Sequence, residues 1–86
     1  MISLSGRHIR AARALLGWTQ IELSTKSKVA LGTVKRMERF DGPVNARTDT
    51  LRSIAGVLSE AGVEFLNDGQ PGVRLRLVLS KKEGPP

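Results

Sequence analysis

The sequence predicts a mainly α domain, four helices followed by a C-terminal β-hairpin or strand pair. Apolar residues recur at helical spacing from Ile9 to Leu58. Glycines and a turn cluster interrupt that spacing at Gly17, at Asp41-Gly42-Pro43 and at Gly62. Beyond Gly62 the period changes from helical to alternating.

The first helix reads from Arg7 to Leu16, with Ser5 as its cap. Ile9, Ala12 and Leu16 form its apolar stripe, and Gly17 suits the left-handed residue beyond its end. Thr19 starts a second helix, and Glu22, three residues on, completes a capping box. Ile21 and Leu23 supply its apolar contacts, and it ends near Lys26–Lys28. Val29 anchors a tight connection to a third helix, Ala30 or Leu31 to Arg39, with Val34 and Met37 facing inward. Asp41-Gly42-Pro43 breaks that helix and opens a polar loop that runs to Arg47. Thr48 or Asp49 caps a fourth helix, whose inward stripe is Leu51, Ile54, Ala55 and Leu58.

Val63-Glu64-Phe65-Leu66 then reads as a strand, the stretch from Asn67 to Gly72 as a turn, and Val73 to Leu79 as a second strand. Val73, Leu75, Leu77 and Leu79 share one face, opposite Arg74 and Arg76, and Glu64 faces one of these arginines across a hairpin. Residues 81–86 read as a disordered tail.

Composition narrows the function classes. At 86 residues, with 40% hydrophobic residues, the chain has room for one globular domain. It has no cysteine and one histidine, which argues against disulfides and a conventional zinc site. No apolar run approaches the ~20 residues of a membrane span, and Met1 to Gly6 lack the pattern of a signal peptide. A cytoplasmic protein is expected. No paired carboxylates, nucleophile–base set or phosphate-cradling glycine motif appears, so neither an enzyme nor a cofactor is expected. Fourteen Lys and Arg against eight Asp and Glu give a formal charge of +6, which favours a polyanionic partner, nucleic acid before an anionic membrane surface.

Two short helices joined by a tight turn, braced by a preceding helix, are the ingredients of a helix-turn-helix unit. The second can enter the major groove of DNA, which is about as wide as a helix. Here its outward positions are Ala30, Leu31, Gly32, Lys35, Arg36 and Arg39.

The chain also resembles a known family. The residues that carry the resemblance are Ile9-Arg10-Ala11-Ala12-Arg13, Leu16-Gly17-Trp18-Thr19-Gln20, Leu23, Val29, Thr33-Val34, Arg36 and Glu38. In that order they are similar to the Xre type, the phage repressor and Cro class of helix-turn-helix proteins, over about residues 7–62. The resemblance implies a lambda-repressor-like helical domain in residues 1–62, with a recognition helix at about 30–39. It also implies a sequence-specific repressor that binds double-stranded DNA as a dimer.

Residue by residue, the resemblance places Gln20 on a phosphate and Leu31, Gly32 and Arg36 at base edges. It sets Thr33 and Arg39 beside the backbone, and it pairs Arg13 with Glu38 in a structural salt bridge. Ala30 stands where the family often has Ser or Thr, and Leu31-Gly32 replaces polar readers, which shifts specificity toward Lys35, Arg36 and DNA shape. Lys28, beside the turn, and Arg47, in the loop, complete the expected DNA contacts.

Structural readings take the remaining residues. Trp18 is expected to pack between the first two helices, His8 to be a solvated surface histidine, and Arg7, Arg10 and Arg52 to be solvated. Residues 63–80 are expected to form a dimerisation element through Val73, Leu75, Leu77 and Leu79; a monomer with a packed hairpin is the alternative. A dimer would present two recognition helices ~34 Å apart to a palindromic operator. The competing function is an antitoxin or anti-activator, a protein-interaction module that also carries a helix-turn-helix.

Overall fold

The computed structural model describes residues 4–39, 46–66 and 72–76. They form four helices, α1 (Gly6–Leu16), α2 (Gln20–Ser27), α3 (Leu31–Glu38) and α4 (Thr48–Glu60), then strands β1 (Val63–Leu66) and β2 (Gly72–Leu75). The protein is thus mainly helical, with one two-stranded antiparallel sheet at the end of the described chain. None of the described helices is long and apolar enough to cross a membrane.

Local chemistry sets most boundaries. Ser5 accepts from the His8 backbone N–H at 3.2 Å and caps α1. His8 closes a capping box that usually uses Glu or Gln: its Nδ1 accepts from the Ser5 N–H at 3.3 Å and lies 2.8 Å from Ser5 Oγ. The expectation of a solvated His8 is therefore corrected. His8 is buried, one turn before the fully buried Ala12, and its ring meets Phe65 edge-on at 6.0 Å. With Nδ1 accepting, the proton of the neutral ring belongs on Nε2, which has no partner among the described residues.

Gly17 closes α1 at φ 72°, a left-handed conformation that costs glycine little. Thr19 and Glu22 form the expected capping box on α2, with bonds of 3.0 and 2.8 Å. Lys28 ends α2 at φ 62° without the freedom of glycine. The turn that follows is held by side chains. Ser24 Oγ donates to the Val29 carbonyl at 2.6 Å, and Ser27 Oγ accepts from the Val29 N–H at 3.3 Å.

Two further expectations need correction. Thr48 and Asp49 do not cap α4; both are helical, and Arg47 stands at the cap without a side-chain cap bond. Asp49 in the first turn favours the helix through its charge near the positive end of the helix dipole. The second concerns Ile21, which is 63% exposed. An eight-residue helix buries one narrow stripe, here Leu23 and Ser27, and Ile21 lies about 200° around the axis from Leu23.

The core is Leu4, Ile9, Ala12, Leu23, Val34, Met37, Ile54, Leu58 and Val63, one side chain or more from every helix and from β1. Leu16, Trp18, Val29, Leu51, Ala55, Phe65 and Val73 pack around it half-buried. Trp18 therefore has its expected packing role, and the Lys26 ammonium lies 5.2 Å from its ring centroid.

In the sheet, Val63 faces Leu75 and Phe65 faces Val73, while Glu64 faces Arg74. Glu64 takes Arg74 at 2.5 Å and Arg76 at 3.4 Å, so the expected cross-strand pairing is present with both arginines. The two strands pair within one chain. The described part of β2 ends at Leu75, and Val73 is spent on the protein's own core. Leu77, Leu79, the break at Asp41-Gly42-Pro43, the turn from Asn67 to Pro71 and the tail at 81–86 lie outside the described residues.

Candidate nucleic-acid interface

The candidate surface is built on α3 and the turn before it. Helical spacing divides α3 into two faces. Val34, Met37 and Glu38 are buried against the other helices. Gly32, Lys35, Arg36 and Arg39 are exposed and fall at i, i+3, i+4 and i+7 on the opposite side. Lys35, Arg36 and Arg39 make no ion pair among the described residues, so three cations stand on one outer stripe with unspent charge.

Around the start of α3 the chain forms an open notch of about 280 Å³. Lys28, Val29, Ala30 and Thr33 line it from the turn and α3, and Asp49, Thr50 and Ser53 line it from α4. The fold thus brings Lys28, Ala30 and Thr33 together at one notch. Ala30 caps α3 with no side-chain hydrogen bond. Leu31 is half-buried, so less of its side chain is available to a base than an exposed position would offer. Arg47 is exposed, and its 3.4 Å pair with the exposed Asp49 contributes little.

Gln20 has a partner inside the protein. Its amide is half-buried and donates to Glu38 Oε1 at 3.1 Å. It joins a larger cluster at the inner end of α3. Arg13 grips Glu38 with two parallel bonds, Nε to Oε2 at 2.7 Å and Nη2 to Oε1 at 2.8 Å. A third Arg13 bond, Nη1 to the Trp18 carbonyl at 2.9 Å, fixes the guanidinium on the α1–α2 corner. The hydrogen bonds to Glu38 raise the Arg13 pKa above its ordinary value; burial opposes this, and the attraction of the carboxylate adds to it. Arg13 is therefore a fixed cation, and the pairing of Arg13 with Glu38 is present as expected.

Arg10 is corrected from solvated to engaged: it is half-buried, and its Nη1 donates to the Glu38 backbone carbonyl. That carbonyl belongs to the last turn of α3, where backbone acceptors lack helical partners and favour a cation. A signal for this exists in the sequence, since Arg10 lies one helical turn before Arg13 on the same flank of α1. Its target did not, because a backbone carbonyl leaves no mark on residue identity.

Among the described residues, no group of three or more His, Cys, Asp or Glu side chains converges. No protein-family model matches the chain, and no curated protein matches it.

Proposed function

We propose that the chain is a sequence-specific, double-stranded DNA-binding transcriptional repressor of the helix-turn-helix type, acting as a dimer with α3 in the major groove. The outer stripe of α3 carries this reading. Lys35, Arg36 and Arg39 stand exposed and unpaired on one face of a helix whose other face is locked to the core. Cations without internal partners are suited to phosphates and base edges, whereas a purely solvated helix face would more often mix both signs.

In this reading Arg36 is the base reader, offering two parallel donors to guanine O6 and N7. Lys28, Thr33 and Arg39 flank it toward the backbone, with Arg47 at the start of α4. Of the expected dimerisation residues that are described, Leu75, 41% exposed at the end of β2, is the one left for a second copy. A dimer through the strands would set two α3 helices ~34 Å apart and select a palindromic site.

The test is fluorescence anisotropy on duplex DNA from upstream of the protein's own gene, across a salt series and against scrambled competitor. Binding that survives competitor and weakens steeply with salt is expected. Absence of binding at low salt would overturn the proposal and return the chain to the protein-interaction reading. Arg36→Ala is expected to cost ~1–3 kcal/mol of preference for the selected site while leaving unfolding unchanged. An unaltered preference removes Arg36 from base readout.

Gly32 gives an independent check. A Cβ placed there meets nothing within 4 Å in the free protein. Gly32→Ala should therefore raise stability, by up to ~1 kcal/mol from helix propensity. Affinity for DNA should nevertheless fall, because Gly32 lies on the stripe that approaches the groove. Stability and affinity rising together would take Gly32 out of the interface.

A further inference from the structure

Glu38 ends α3 almost fully buried, yet Arg13, Gln20 and Arg10 all converge on it. Arg13 and Arg10 reach it from α1. Gln20 reaches it from α2, of which it is the first residue. Among the described residues, its amide makes the one side-chain hydrogen bond that joins α2 directly to α3. The acceptor is well suited. Arg13 occupies one edge of the carboxylate, and Oε1 keeps a second lone pair for a further donor. A neutral amide fills that site without adding a further charge to the cluster.

We propose that Gln20 is a positioning residue for α3. It ties the start of α2 to the end of α3 through Glu38 and so fixes the set of the outer stripe, Lys35, Arg36 and Arg39. Site preference then depends on a residue that touches no base. The structural half of this inference rests on the hydrogen bond alone; the functional half rests on the DNA-binding reading above.

Two measurements on the full chain test it. The first is the side-chain amide signal of Gln20 in a nitrogen–proton correlation spectrum of the free protein, assigned by its loss in Gln20→Ala. Slowed solvent exchange and a shift away from free glutamine are expected. A signal like that of free glutamine overturns the proposal, whatever the protein binds.

The second compares wild type and Gln20→Ala on a duplex selected from a random-sequence pool and on a scrambled duplex of equal length. Site preference is expected to fall about tenfold, the effect of one lost charge-assisted hydrogen bond, while affinity for the scrambled duplex changes little. An equal loss on both duplexes would make Gln20 an ordinary phosphate contact, and no loss on either would make it a bystander; both results overturn the positioning role. If wild type selects no sequence from the pool, the DNA-binding reading fails, and the amide signal still decides whether the α2–α3 tie exists.

Discussion

Glu38→Ala is expected to lower the unfolding free energy by about 2–3 kcal/mol, measured by urea denaturation. The wild-type carboxylate takes two Arg13 bonds and one from Gln20. Truncation removes all three bonds and leaves the guanidinium against α3 with only the Trp18 carbonyl. Breaking a buried pair from one side commonly costs ~3–5 kcal/mol. The lower figure applies here because the Arg13 side chain is 20% exposed, so water reaches part of the orphaned charge. Glu38→Gln keeps an acceptor for Gln20 and one bond to Arg13, so its loss should be smaller. Equal losses for the two variants would mean that packing, not charge, makes Glu38 important. A loss below ~0.5 kcal/mol in Glu38→Ala, the usual range of a surface substitution, would show that the cluster does not stabilise the fold.

How far the sequence carries is visible in this same cluster. The caps of α1 and α2, the left-handed Gly17 and the core stripe of α4 follow from rules that act within one turn of helix. Such rules leave their mark in adjacent residues, which is why Ser5, Thr19 with Glu22, and Leu51 through Leu58 were legible. The pairing of Arg13 with Glu38, 25 residues apart, has no local signature and entered only through the family resemblance.

Misread residues share a cause. The sequence reads His8 and Arg10 as solvated and Gln20 as a phosphate contact, and each has a partner inside the protein that local spacing does not announce. His8 stands in for an acid in a capping box, Arg10 seeks a backbone carbonyl, and Gln20 adds to a carboxylate already in use. Ile21 erred in the other direction. Its apolar character suggested burial, but the short α2 had only one stripe to bury and Leu23 took it. The outward position of Lys35, Arg36 and Arg39 was legible because it is the complement of the Val34–Met37 face.

Ile54→Ala is expected to cost about 3–4 kcal/mol, the usual range for truncating a large aliphatic residue in a fully enclosed site. Ile54 has no exposed surface and belongs to the central cluster. A domain of 86 residues has a total stability of only ~4–13 kcal/mol, so the variant should sit near the edge of unfolding at 37 °C. That makes it a sensitive reporter of ligands. A duplex that binds the folded state alone, present at ~100 times its Kd, adds ~2.7 kcal/mol. For a domain of this size that is a rise of roughly 10 °C or more in Tm. The selected duplex should therefore recover most of the lost stability, and a scrambled duplex much less. Because Ile54 is sealed inside the protein, its truncation alters no DNA contact, and the two effects should add. Equal recovery with both duplexes would leave only charge-driven binding, and no recovery with either would separate this fold from DNA altogether.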